Sequence, residues 1–373
     1  MSWYRSKLEH DLKRWQAAGW VTTDGAGAIR RDLDQNKSAF AAAPVLAVLG
    51  AVLFGFAVMS FVAAHWTGMS KLARLALLIG ALWACYGGAA LLFQRQLAAF
   101  AHAAVLGGIA VYGASIMLIA QMYHMEGNPA DAVLLWALGA LLGAVLARSP
   151  AALAATFVLL TVWCSWERIA SESALYSFLV PWAGAALTAA WLRWRPGGHL
   201  AALSLALWLV PLGFLVWGHH AHWLVVLIGG AVAAAAAVWG RAIDRHLPVS
   251  AVLFTYGLAV SYAGLFILQF LDDGRWLLAS TDSAPLLRLL ALAILSLLLL
   301  LGAMVWALNG DNRPALWLAY TAFALEIFTL YVRTFGSLLN TSLFFLVAAL
   351  IVSALAWLAY RLHRSKTATE AAT

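Results

Sequence analysis

One carboxylate stands inside a long apolar stretch of this chain: Glu326, in Ala322-Phe323-Ala324-Leu325-Glu326-Ile327-Phe328. Such a group can take up a proton or hold a cation, and in an apolar helix its cost marks a functional site by default. Arg333 follows seven residues later, about 10.5 Å further along the same helical face at 1.5 Å per residue. Side chains lean toward a helix N-terminus, so Arg333 leans back toward Glu326 and a direct or water-bridged pair is within reach. The plainer alternative is a neutral carboxyl bonded to a hydroxyl or amide of a neighbouring helix.

A second constellation closes two other apolar stretches. Gln121, Tyr123, His124 and Glu126 end one, and His65 with Trp66 ends another. On a helix Gln121 and His124 are three apart and share a face, so the two ends could line a vestibule or ligand pocket. The alternative is interface residues whose polar tips simply reach water. A third group, His219-His220-Ala221-His222, places three imidazoles in four residues, which suits copper or zinc. No carboxylate or cysteine lies nearby in sequence to complete that site, so an exposed His-rich turn is favoured over a metal centre. No GxSxG elbow, HExxH, phosphate-binding loop or dinucleotide fingerprint occurs. No catalytic residue or cofactor is assigned, and an enzyme is not favoured.

The elements that must position these residues follow from composition. Of 373 residues, 64% are hydrophobic and 10% charged, and the mean hydropathy is +0.86. Soluble domains carry about 25% charged residues. An ordinary soluble domain, a disordered chain and a nucleic-acid binder are therefore excluded, and two cysteines make no disulfide framework. A membrane span needs about 20 mostly apolar residues. Twelve such runs are predicted: 44–64, 72–93, 98–123, 132–147, 150–166, 175–194, 200–217, 222–239, 247–270, 285–308, 314–332 and 342–360. The expected fold is an all-α polytopic bundle, because helices satisfy their own backbone in lipid. Runs four and five are separated only by Arg148-Ser149 and read as a tight helical hairpin. Pro211 should kink the seventh, and Gly139 with Gly143 offers a close helix approach. Gly310-Asp311-Asn312-Arg313-Pro314 reads as a cytoplasmic turn; Asp311 could cap the eleventh span, but a plain turn is favoured.

Sidedness follows from the basic residues. With the N-terminus in the cytoplasm, seventeen of the 23 Lys and Arg fall in inner segments and six in outer ones. Both termini are expected inside. The net charge of +7 then reflects topology and anionic lipid rather than an acidic substrate. Most of the 19 tryptophans fall at predicted interfaces, whereas Trp83, Trp136, Trp182 and Trp208 sit deeper, as packing residues.

The domains read as a cytoplasmic head over 1–43, a transmembrane bundle over 44–360 and a polar tail over 361–373. In the head, Leu8, Leu12 and Trp15 form one apolar stripe and Gly19 stops the first helix. Trp20 and Val21 make an elbow, and Thr22-Thr23-Asp24 supplies caps for a second helix carrying Ala28, Ile29 and Leu33. Two helices this short bury little core alone. The head should dock on the inner membrane surface, on inner loops or on a protein partner.

Several stretches resemble a family of bacterial inner-membrane proteins known only as domain of unknown function 2157. They are Leu12-Lys13-Arg14-Trp15 through Ala18-Gly19-Trp20-Val21, Ala63-Ala64-His65-Trp66, Leu118 through Gly127, and Leu134 through Ala140, within about residues 1–165. The resemblance implies a multi-helix inner-membrane protein with a small cytoplasmic head, and no reaction. The favoured expectation is binding or transport of a small ligand, ion or lipid, with Glu326 and Arg333 as polar centre and His65, Trp66, Gln121, Tyr123 and His124 as mouth. The alternative is a non-transporting scaffold or sensor acting through its head and inner loops.

Overall fold

The computed structural model describes residues 2–35, 68–215, 221–245, 248–270 and 284–334, with scattered positions of 49–64 and residues 346 and 353. Among the described residues every regular element is helical. The first predicted span, the twelfth and the polar tail lie largely or wholly outside them. Nine described helices are long and apolar enough to cross a membrane, and the fold class is a polytopic helical membrane bundle. The chain divides into two compact units, residues 1–115 and 116–373, taken in turn.

In the first unit, α1 (Ser2–Ala17) and α2 (Thr23–Gln35) form the head. Gly19 takes φ +75°, and the Trp20 and Gly19 amides donate to the Trp15 and Gln16 carbonyls. This is the left-handed helix ending that glycine accommodates without a Cβ penalty. Thr22 Oγ1 accepts from the Gly25 amide at 3.1 Å and caps α2. Leu12 and Ala26 are fully buried, and Glu9 accepts a two-pronged bond from Arg30, with Nη2 at 3.0 Å. That hydrogen bond, then the carboxylate's charge, raises the Arg30 pKa above its ordinary value. The apolar stripe of α1 is therefore centred as expected, but α2 buries Ala26 where Ala28 and Ile29 were expected; both of these are exposed. The reason is the Glu9–Arg30 pair, which turns Ala26 and Arg30, one turn apart, toward α1. Beyond the head come α3 (Lys71–Gln94) and α4 (Ala98–Met122), the latter running past the unit's end. Trp83 on α3 is 74% exposed, which corrects its expected place in helix packing.

In the second unit, α5 (Pro129–Leu146) and α6 (Pro150–Ser171) form the predicted hairpin. Arg148 turns the chain at φ 45°, and Ser149 caps α6 by accepting from the Ala152 amide at 3.3 Å. The buried face of α5 is Ala130, Val133, Ala137, Ala140, Gly143 and Ala144, so Gly143 of the Gly139–Gly143 pair lies on it together with a row of alanines. The sixth predicted span is shorter than expected. A 3-10 turn (Tyr176–Phe178) leads into α7 (Leu179–Trp191), whose 13 residues cover about 20 Å. The seventh is interrupted: α8 (Arg195–Leu209) stops before Pro211, and a four-residue α9 (Leu212–Leu215) resumes.

The closest crossing lies between α10 (His222–Asp244) and α11 (Ser250–Phe270). A Cβ on Gly229 would stand 2.5 Å from the Ser261 amide nitrogen, and one on Gly257 would stand 2.7 Å from that of Ala233. Two backbones thus meet where side chains would forbid it, the small-residue packing that membrane helices use. Against α11 pack α12 (Ala284–Asn309) and α13 (Arg313–Thr334), with Phe254, Leu258, Leu300, Met304, Ala319 and Phe323 in one core. Asn312, not Asp311, caps α13: its Oδ1 accepts from the Ala315 amide at 3.2 Å. Its Nδ2 also donates to the Ala251 carbonyl at 3.1 Å, tying α13 to α11, whereas Asp311 is exposed.

Candidate functional site

Glu326 sits on the α13 face that packs against α11, where the polar positions of three spans converge. Its side chain is fully buried. Gln269 Nε2 donates to Oε1 at 2.7 Å and the Tyr262 hydroxyl donates toward Oε2 at 3.2 Å. The same Tyr262 oxygen lies 3.1 Å from the Ala322 carbonyl, one turn before Glu326. Ser296 of α12 is buried beside Gln269, whose Nε2 lies 3.4 Å from its hydroxyl oxygen. Spacing explains the set: Tyr262 and Gln269 are seven apart, two turns along one face of α11. Both carboxyl oxygens thus have donors from a neighbouring helix, an arrangement that can hold three spans together and keep a proton or a charge out of lipid.

Glu326 and Arg333 share α13, but the Arg333 side chain lies outside the described residues. The acceptors that Arg333 was expected to approach already have donors in Gln269 and Tyr262. Those two partners, with Ser296, were not singled out in the sequence. The available signal was a pair of polar residues at a seven-residue interval inside an apolar run, and tyrosine and glutamine are common enough near span ends to hide it.

The outer-rim group is arranged differently from expectation. α4 ends at Met122, and His124 takes φ 51°. The Met125 and His124 amides donate to the Ala120 and Gln121 carbonyls, closing the same kind of left-handed helix ending as in the head. Gln121 and His124 therefore do not share a helical face, because the chain has already left the helix at His124. Gln121, Tyr123, His124 and Glu126 are all exposed. His65 and Trp66 lie outside the described residues, so their expected meeting with this rim has no described geometry.

Of the histidine run, His219 and His220 lie outside the described residues, and His222 is fully buried. Its ring meets Phe214 edge-on at 4.2 Å, and a Cβ on Gly213 would come within 2.7 Å of it. His222 is thus packed against α9 and does not belong to an exposed turn. Among the described residues no group of three or more His, Cys, Asp or Glu is placed to hold a metal.

A second buried polar node joins α6, α8 and the turn before α7. Arg168 is 6% exposed, and its Nη1 donates to the Trp208 carbonyl at 2.7 Å, near the end of α8. The Trp208 indole N–H lies 3.0 Å from the Ala174 carbonyl and 3.3 Å from that of Leu175, and its ring stacks on Phe178. Trp182 acts similarly, its indole N–H reaching the Ala201 carbonyl at 2.9 Å and Ser204 Oγ at 3.1 Å. Trp182 and Trp208 are packing residues, as their depth implied. Arg168 was counted only as an outer-segment charge, since its place two residues beyond a predicted span concealed its burial.

Helices, apolar spans and buried polar nodes define a polytopic membrane protein. The family described as predicted membrane protein (DUF2157) has a model that matches residues 13–153. The match takes in the head elbow and the end of α4, while Arg168, Tyr262, Gln269 and Glu326 lie beyond it. No curated protein and no solved structure matches the chain.

Proposed function

We propose that this chain is a non-transporting membrane scaffold or sensor whose bundle is a fixed platform for its cytoplasmic head. The observation carrying this reading is the closure of Glu326. It has no exposed surface, and both carboxyl oxygens are engaged by side chains of α11. A carboxyl on a substrate path needs water or ligand access, whereas one bonded on both oxygens joins helices. At the head elbow Trp20 is 77% exposed, an apolar surface offered to the inner membrane face or to a protein partner. Both termini lie in the cytoplasm in this reading, on the strength of the basic-residue asymmetry.

Binding or transport of a small ligand, ion or lipid is the second reading, and the interruption between α8 and α9 favours it. Discontinuous spans often build transporter binding sites. One experiment separates the two. Glu326→Cys, with Cys85 and Cys164 replaced, is treated in intact membranes with a small water-soluble thiol reagent, with Gln121→Cys as the exposed control. The scaffold reading expects labelling at Gln121→Cys and none at Glu326→Cys in a monodisperse protein. Ready labelling of Glu326→Cys overturns it in favour of transport.

A further inference from the structure

The helices α5 and α7 lie side by side and run the same way, and two contacts set their register. A Cβ on Gly184 would stand 3.5 Å from Leu141 Cδ2. Seven residues further along both chains, the Arg148 guanidinium stands over the Trp191 ring, 5.1 Å from its centroid. Seven residues are two helical turns, so both contacts belong to one seam. Between them lie Val145, three residues before Arg148, and Leu187, four before Trp191. Both are exposed, Leu187 to 71%, so the seam opens outward as apolar surface one turn inside the cation and the ring.

The charged end of this seam is also open. Arg148 is exposed and Trp191 is 54% exposed. Among the described residues no carboxylate forms an ion pair with Arg148. Arg193, two residues after Trp191, is exposed as well, and neither connecting loop, 147–149 or 192–194, contains an acid. A guanidinium over a ring face keeps its fork of N–H donors for oxygens, and the ring restricts the orientations it loses on binding. The level is that of phospholipid headgroups. The 18 residues of α5 cover about 27 Å against a hydrocarbon core of roughly 30 Å, and Arg148 stands just past its end. An indole is favoured at the same level. A bare basic loop would attract any anion. A basic pair directly above an open apolar seam matches a molecule that carries a phosphodiester and hydrocarbon chains together.

We propose that the α5–α7 seam holds an anionic phospholipid. Its phosphodiester sits on Arg148 over Trp191, Arg193 adds charge, and an acyl chain lies along Val145 and Leu187.

The test uses the full-length protein in neutral detergent, titrated separately with phosphatidylglycerol, phosphatidylcholine and inorganic phosphate. Native mass spectrometry reads the lipid retained, and the thermal midpoint reads stabilisation. Wild type should hold phosphatidylglycerol more tightly than phosphatidylcholine. Arg148→Gln should weaken phosphatidylglycerol about tenfold, and Trp191→Leu about threefold, with phosphatidylcholine unchanged in both. Arg245→Gln removes an exposed charge from the connection between α10 and α11 and should bind as wild type does. Arg148 takes φ 45°, which glutamine bears no worse, so the lipid-free midpoint should stay where it is. Equal wild-type affinity for the two lipids would overturn the proposal, as would equal losses in Arg148→Gln and Arg245→Gln. A response to inorganic phosphate that matches the one to phosphatidylglycerol would show charge acting without the seam, and would also overturn it. Should Arg148→Gln fail to fold, Arg148→Lys and Trp191→Leu decide, wild-type binding in both counting against the site.

Discussion

Gln269 Nε2 lies 2.7 Å from Glu326 Oε1, so an amide of α11 answers the buried carboxyl of α13 across a helix interface. Neither residue has a role in the apolar packing around it, and each satisfies the other. Removing one leaves the other buried with Tyr262 or Ser296 still beside it.

Gln269→Leu should therefore cost about 1–3 kcal/mol, since the carboxyl loses its shorter-bonded donor while staying buried. Adding Glu326→Leu should restore part of that loss. Tyr262→Phe should cost less, about 0.6 kcal/mol, as interhelical bonds in membrane proteins commonly do. Denaturation of the purified protein in mixed micelles measures all three. A double variant less stable than Gln269→Leu would count against this arrangement.

The crossing of α10 and α11 makes a sharper prediction. A Cβ at Gly257 meets backbone atoms, which cannot swing aside as a flexible side chain can. Gly257→Ala should destabilise by about 1–3 kcal/mol. Gly302→Ala, on α12 with nothing within 4 Å, should be close to neutral by the same measurement.

The head should come apart independently of the spans. Leu12 is fully buried between α1 and α2, and Leu12→Ala removes most of the little apolar core they share. Limited proteolysis of the variant should cut residues 18–22 markedly faster than wild type. The unfolding midpoint of the membrane portion should not move.

Trp208 ties together α6, α8 and the turn before α7. Trp208→Phe keeps the stacking partner for Phe178 but removes the indole N–H that faces the Ala174 and Leu175 carbonyls. Hydrogen exchange over residues 172–178 should quicken, while exchange in α11 stays unchanged. Equal protection in the variant would show that the turn does not depend on that bond.

Much of the architecture was legible because apolar length is a direct physical requirement of lipid. The α5–α6 hairpin at Arg148-Ser149, the break at Pro211 and the stop at Gly19 each follow from one residue's backbone chemistry. The sixth span was overread because Leu175, Tyr176 and Phe178 continue the apolar run, yet the chain spends them on a turn that Trp208 holds. Glu326 stood out because charge among apolar residues needs no context. Tyr262, Gln269 and Ser296 did not, since their importance arises only when three distant spans meet. Gly229 and Gly257 were hidden for the same reason: a helix crossing depends on two positions in different helices, and neither glycine forms a motif by itself.

The order of the Glu326 partners along the chain bears on biogenesis. Tyr262, Gln269 and Ser296 all precede Glu326, by 30 to 64 positions. Synthesis proceeds from the N-terminus, so α11 and α12 leave the ribosome before the segment carrying the carboxyl. When α13 reaches the bilayer, the amide and hydroxyls that receive its acid have already been made. Nascent-chain insertion of α13 should then be more efficient behind α11 and α12 than when it is presented to the translocon alone.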